Sequence, residues 1–142
     1  MRLLLAAVAL LPLVPTEAAA ESWYLVGGNE NTRTYVDLSS LRPLDNKMIG
    51  DIQSVYSTPL DGDIWGVKIR QEFDCTGNYF RTLQYSYYGA RGAYIDTEAS
   101  ETINEQKVPA PDSINEAVME FVCYRTGGTQ VANPFDDAAA NF

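Results

Sequence analysis

Cys75 and Cys123 are the two residues whose chemistry the sequence restricts most. They are the only cysteines of the chain, so they allow a single intramolecular pairing. They lack the C-x-x-C spacing of a redox-active pair, which favours a structural disulfide. In the chain-entropy model, closing a loop of this length stabilises a fold by about 4 kcal/mol. The pair therefore predicts a disulfide-stabilised domain from an oxidising compartment.

The N-terminal residues predict how the chain reaches that compartment. Arg2 is followed by an apolar run over residues 3–14 and by the small residues Ala18, Ala19 and Ala20, which is the pattern of a cleavable signal peptide. We expect residues 1–20 to be this signal peptide, with cleavage after Ala20. The apolar run is shorter than the roughly 20 residues that a membrane-spanning helix needs, and the cleavage point carries no cysteine for a lipid anchor. We expect an exported protein, periplasmic or secreted, with no membrane span and no lipid anchor.

The remaining reactive side chains indicate no catalytic site. The chain contains no histidine, which excludes Ser-His and Cys-His nucleophilic pairs and imidazole metal ligands. Asp61 and Asp63 flank Gly62 as in a turn, without the other ligands of a calcium loop. Acidic residues that could pair for hydrolysis are too numerous to single out two. These are Glu72, Asp74, Asp96, Glu98 and Glu101. We predict a non-enzymatic protein with no cofactor and no metal.

A cluster of aromatic residues around one arginine is the candidate ligand surface. Tyrosine and arginine are enriched among the residues that dominate binding energies at interfaces. Aromatic residues also favour strands, where they fill a core, so both roles stay open for this cluster. Its members are Tyr85, Tyr87, Tyr88, Arg91 and Tyr94.

The chain is strongly acidic, with a net charge of −9. Such a charge repels nucleic acid and anionic lipid, and it either favours a cationic partner or serves solubility alone. We expect no nucleic-acid partner.

The polar and apolar pattern predicts a sheet that would position these residues. β-favouring runs separated by glycine, proline and Asp-Gly turns predict about six strands. They cover residues 23–26, 34–38, 48–58, 65–75, 79–88 and 94–99. A three-residue turn at 76–78 would place Leu83, Tyr85 and Tyr87 inward beside Ile69 and Val67. A two-residue turn would instead bury Gln84 and Ser86, and the three-residue turn is the one we predict.

A helix should follow the strands. Ser113 and Glu116 have the spacing of a capping box, and apolar residues then recur at helical intervals up to Cys123. Residues 126–142 contain few core formers, and we expect a disordered tail there. Strands followed by one helix predict an α+β domain over residues 21–125, in which an antiparallel sheet carries a C-terminal helix on one face, tied by the disulfide. An exposed sheet edge also makes a dimer conceivable.

Several segments of the chain resemble the surface-adhesin protein E family of small exported bacterial domains. The segments are residues 23–27, 35–41, 73–75 with Arg81, 87–88, and 111–113 before the helix that bears Cys123. The resemblance implies an antiparallel sheet with a C-terminal helix held by this disulfide. Because the named member of the family is an adhesin for host matrix proteins, it also implies a binding role.

Three functions are therefore under consideration. The first is an exported bacterial non-catalytic binding domain for a protein or small ligand of unknown identity. The alternative is an acidic periplasmic inhibitor of a cationic enzyme such as lysozyme, which net charge and small size favour. The third is a carboxylate-based hydrolase, which would need two acidic side chains converging in a cleft.

Overall fold

The computed structural model describes residues 20–142, so the predicted signal peptide, except Ala20, lies outside the described residues. The described chain forms eight strands and two α-helices, with single 3-10 turns at Leu38–Ser40 and Ala90–Gly92. In chain order these are β1 (Trp23–Gly28), β2 (Thr32–Asp37), β3 (Arg42–Leu44), β4 (Lys47–Leu60), β5 (Ile64–Asp74), β6 (Tyr79–Tyr88), β7 (Tyr94–Ala99), α1 (Ile114–Tyr124), β8 (Thr129–Val131) and α2 (Pro134–Asn141).

The strands form one antiparallel sheet in the order β7-β6-β5-β4-β2-β1-β8, and β3 pairs with β4 beside this path. The α+β class with an antiparallel sheet and a C-terminal helix is confirmed. The sheet has two strands more than predicted, because β3 and β8 are three residues each and too short to show an alternating pattern. Within residues 20–142, no helix has the length and apolar character needed to cross a bilayer.

Helix α1 begins at the predicted capping residue. The Ser113 hydroxyl oxygen accepts a hydrogen bond from the Glu116 backbone N–H at 3.1 Å. The Glu116 carboxylate accepts in turn from the Asp112 N–H, one residue before the position that a standard capping box uses. The helix ends at Arg125, whose backbone adopts the left-handed conformation with a φ of 56°.

The two helices cover opposite faces of the sheet. Tyr35 and Val36 are both fully buried, and as successive residues of β2 they point to different faces. Val36 packs in a cluster that includes four residues of α1. Tyr35 packs in a second cluster with Trp23 and Ala138 of α2. The sheet is thus the middle layer between two helices, and the prediction of a single covered face described half of this arrangement.

The predicted disulfide joins Cys75, directly after β5, to Cys123 in the last turn of α1. Their Cα atoms lie 5.6 Å apart, as an unstrained bridge requires. Both cysteines are partly buried and pack at the margin of the cluster beneath α1. The predicted bridge between sheet and helix is confirmed.

The prediction of a disordered tail over residues 126–142 is wrong for β8 and α2. The Asn133 side chain accepts hydrogen bonds from the N–H groups of Phe135 and Asp136, at 2.9 Å and 3.2 Å, and caps α2. Pro134 occupies the first helical turn, where its missing N–H costs nothing. The N-terminal cap and the run of alanines therefore favour a helix here, although the segment has few apolar residues to bury.

The hairpin between β5 and β6 reaches the predicted pairing by another route. Asp74 pairs with Tyr79, so the connection is longer than the three-residue turn we expected. A bulge further along the hairpin then shifts the register by one residue. Beyond it Ile69 lies opposite Tyr85, as predicted, but Leu83, Tyr85 and Tyr87 are only half-buried and Ser86 is the buried residue. The bulge thus compensates for the different turn.

Candidate functional site

The predicted ligand surface is divided between the two faces of the sheet. Tyr85 and Tyr87 lie opposite Ile69 and Val67, on the face that α1 covers further along. Tyr88 lies opposite Gly66, and a side chain at Gly66 would point toward Phe135 of α2. The five predicted residues therefore form two separate groups rather than one surface.

Tyr85 and Tyr87 stack on each other, with ring centroids 6.4 Å apart and an interplanar angle of 11°. The Tyr87 hydroxyl donates a hydrogen bond to Glu98, and this bond raises the pKa of Tyr87 to about 12. Glu98, Glu101 and Tyr85 line a shallow recess of about 300 Å³. Two of the five acidic candidates thus share a recess, and one of them is already held by a tyrosine.

The other group lies where β6 turns into β7. Tyr88 packs edge-on against Tyr94, with 5.9 Å between the ring centroids. The centroid of the Tyr88 ring also lies 6.0 Å from that of Phe135 in α2. Arg91 stands in the Ala90–Gly92 turn with a left-handed φ of 60° and is exposed. Within residues 20–142, its guanidinium forms neither an ion pair nor a side-chain hydrogen bond. Tyr88, Arg91 and Tyr94 are thus the part of the predicted surface that the fold brings together.

A cleft of about 360 Å³ opens beside Arg91, between α2 and the adjoining ends of β4 and β5. Its walls are mainly apolar, and one carboxylate, that of Asp136, lies among them. The lining residues used below are Val55, Trp65, Phe135, Ala138, Ala139 and Phe142.

A smaller and more polar recess of about 160 Å³ adjoins this cleft, because Arg91 and Phe135 line both. Lys68 reaches into it, and its Nζ lies 5.6 Å from the centre of the Tyr88 ring. Burial disfavours the charged amine, but the interactions with Tyr88, Asp51 and Glu21 together outweigh this effect and raise the pKa of Lys68. Lys68 therefore stays cationic at neutral pH beside an exposed arginine.

Helix α2 closes both recesses, and one carboxylate holds it on the sheet in addition to the packing of Ala138 and Phe135. Asp137 accepts hydrogen bonds from the Tyr35 hydroxyl at 2.6 Å and from Arg33 Nη2 at 3.0 Å. Burial, followed by the hydrogen bond to Asp137, raises the pKa of Tyr35. The geometry of the recesses thus depends on contacts that are 102 and 104 residues apart along the chain.

Two of the other three acidic candidates have structural partners, and the third, Asp96, is exposed on β7. Glu72 is buried and forms ion pairs with Arg81 at 2.7 Å and Lys47 at 3.5 Å. Asp74 accepts a hydrogen bond from the Gly77 N–H and orders the hairpin turn, an interaction that lowers the pKa of Asp74. Among residues 20–142, no three potential metal-ligating side chains come together.

Sequence reasoning did not identify Lys68 as part of a site. Lys68 alternates with Val67 and Ile69 along β5, and it lies on the face of the sheet opposite to the face of Phe73. What was missing was α2, which turns this side into the floor of a recess. The capping residues Asn133 and Pro134 were the signal that could have revealed that helix.

Comparison with known proteins identifies the family of this chain. A family model described as surface-adhesin protein E matches residues 23–124, from β1 to the end of α1, including both cysteines. Strand β8 and helix α2 follow the matched residues. No curated protein and no solved structure matches the chain. Because the family model covers most of its length, the chain belongs to the surface-adhesin protein E family.

Proposed function

We propose that the protein is an exported, non-catalytic binding domain of the bacterial envelope, periplasmic or secreted after cleavage near Ala20. Family membership supports an adhesin-like role, and the observation that carries the proposal is the exposed arginine and tyrosine at the β6–β7 turn. Tyr94 is 60 % exposed and Ile95 is 50 % exposed, next to Arg91, which has no ion-pair partner among residues 20–142. A solvent-accessible aromatic residue beside a free guanidinium has the composition of a binding hot spot.

The position of this group favours a macromolecular partner. Tyr94 and Ile95 belong to β7, an edge strand of the sheet whose residues are all exposed. An edge strand offers unpaired backbone groups in addition to its side chains, so a partner segment can pair along it. The same edge also suits a second copy of this chain, which keeps a dimer among the expectations.

A pull-down from envelope extract tests the proposal. Arg91→Ala combined with Tyr94→Ala removes the exposed group and leaves Tyr88, which packs against α2, in place. The matched control combines Arg42→Ala with Tyr124→Ala, two exposed residues elsewhere on the molecule. We expect a captured protein to be lost with the first variant and kept with the control. Equal capture by both variants would remove this surface from the proposal.

An acidic inhibitor of a cationic enzyme such as lysozyme is the second candidate. Residues 94–106 carry four acidic side chains and no lysine or arginine, and β7 exposes the first two of them. Those two are Asp96 and Glu98. Attraction between opposite charges weakens with ionic strength, so inhibition should be strongest at low salt. A lysozyme assay at low salt without any inhibition would eliminate this candidate.

A further inference from the structure

We propose that the polar recess and the apolar cleft beside α2 form one binding site for a small amphiphilic organic anion. The acid group of the ligand would lie against Lys68 and Arg91, and its apolar body would lie in the cleft. This inference rests on the proposed binding function and names a ligand class for the part of that region that faces α2.

The charge balance of the molecule is the first argument. In a chain of net charge −9, 19 acidic residues outnumber 10 basic ones. Four basic residues of the described chain form ion pairs and five do not, and of these five Lys68 and Arg91 line the same recess. The paired ones are Arg33, Lys47, Arg70 and Arg81. Two unpaired cations converging in a concave site indicate an anionic ligand.

The carboxylates near the site fix where the acid group would lie. Glu21 lines the polar recess, but its carboxylate accepts a hydrogen bond from Trp23 Nε1 at 3.0 Å. Asp51, which also acts on Lys68, is paired with Arg70. Two cations against Glu21 leave the recess with a net positive charge.

Asp136 lies at the apolar cleft, not in the polar recess. A negative group in the cleft would meet this carboxylate, and a negative group in the recess would meet Lys68. The ligand is therefore oriented with its acid group toward Lys68 and its apolar body toward Phe142 and Ala139.

The shape of the site supports an apolar body. A cleft of about 360 Å³ is within the range of small-molecule sites, and its walls contain the aromatic rings of Trp65 and Phe135. Burying apolar ligand surface there supplies affinity, and the two cations supply selectivity for an acid. Because α2 lies beyond the residues that match the family model, this site depends on a segment outside the family match.

Direct binding of a fluorescent probe tests the inference on the folded chain. The probe is 1-anilinonaphthalene-8-sulfonate, an aromatic sulfonate whose emission rises in apolar sites. Trp23 and Trp65, the two tryptophans of the chain, line the two recesses and report proximity by energy transfer. We expect saturable binding that decanoate competes away and that neutral decanol displaces much less well.

Four single substitutions locate the site. Lys68→Gln and Arg91→Gln should each weaken probe binding about tenfold, since each removes one charge-assisted contact. The controls Lys107→Gln and Arg42→Gln change the same charges away from both recesses and should bind like the parent. Circular dichroism melting of each variant separates a lost contact from a lost fold. If one of these variants unfolds at a lower temperature than the parent, Ala139→Leu provides an independent test. This substitution narrows the cleft without changing the charge, and it should also weaken probe binding.

Three results would overturn the inference. They are no saturable probe binding to the folded chain, equal binding by the Lys68→Gln variant and its control, or equal competition by decanol and decanoate. The proposed function fails separately, because it depends on the pull-down with Arg91→Ala and Tyr94→Ala. Retained capture of a protein by a chain that binds no probe would refute the small-anion site alone.

Discussion

Replacing Asp137 by asparagine should weaken the docking of α2 on the sheet without unfolding the rest of the domain. The Asp137 carboxylate accepts a hydrogen bond from the Tyr35 hydroxyl at 2.6 Å, and Tyr35 is 0 % exposed. A hydrogen bond to a charged group contributes about 1.5–3 kcal/mol. The ion pair with Arg33 adds less, about 0.5 kcal/mol, because both side chains are about one-fifth exposed.

We therefore expect Asp137→Asn to make the docking of α2 on the sheet less favourable by about 2 kcal/mol. This corresponds to about a 30-fold increase in the equilibrium constant for opening of α2. Hydrogen exchange read by mass spectrometry on peptides covering residues 132–142 measures this directly. Peptides from β4 and β5 should keep their protection, because the sheet retains α1 and the disulfide.

Asp136→Asn is the matched control. It removes the same charge from the same first turn of α2, but the Asp136 side chain is exposed and its carboxylate has no hydrogen bond or ion pair within the described residues. It should therefore change the exchange of α2 less than twofold. Equal loss of protection in both variants would mean that helix-end charge, and not the contact with Tyr35, holds α2, and our reasoning would be wrong.

Three further predictions concern stability. Cys75→Ser with Cys123→Ser should lower the free energy of unfolding by about 4 kcal/mol in urea titrations, because the bridge closes a 48-residue separation; a loss below about 1 kcal/mol would contradict a stabilising role. The contribution of Tyr35 to the free energy of unfolding should be fully present below pH 10 and should decline above it. Burial raises the pKa of Tyr35 above its usual 10.0, so the unfolded chain loses this proton at a lower pH than the folded chain does. Tyr35→Phe should flatten that decline in denaturation curves taken between about pH 9 and 11, and an unchanged slope would assign it to other groups. Gly66→Ala places a Cβ 2.7 Å from Phe135 and should destabilise the chain by about 1–3 kcal/mol in thermal melts, whereas an unchanged melting curve would show that Phe135 moves aside freely.

Hydrophobic periodicity was sufficient to predict six of the eight strands and α1, and the cysteine count predicted the disulfide. The alternation along β5 and the capping residue Ser113 are local signals, and the structure keeps both. Helix α2 was missed because its stability comes from the Asn133 cap and from contacts to Arg33 and Tyr35, about a hundred residues away. Such distant contacts leave no periodic pattern in the segment itself.

The candidate site was predictable only where its residues are close together in the sequence. Tyr88, Arg91 and Tyr94 are close in sequence and meet around one turn. Tyr87 is adjacent to Tyr88 in the chain, but neighbouring strand residues point to opposite faces, so the two cannot share a surface. The role of Lys68 could not be predicted, because it requires knowing that a later helix covers that face.

The position of the bridge at the end of α1 has a mechanical consequence. Everything after Cys123 is held by non-covalent contacts alone, since the bridge is the single cross-link of the chain. Tension applied at the C-terminus would peel α2 and then β8 away, lengthening the molecule by on the order of 60 Å of extended chain. Extension would then stop at the sulfur–sulfur bond, and the load would pass through it into β5, an interior strand of the sheet.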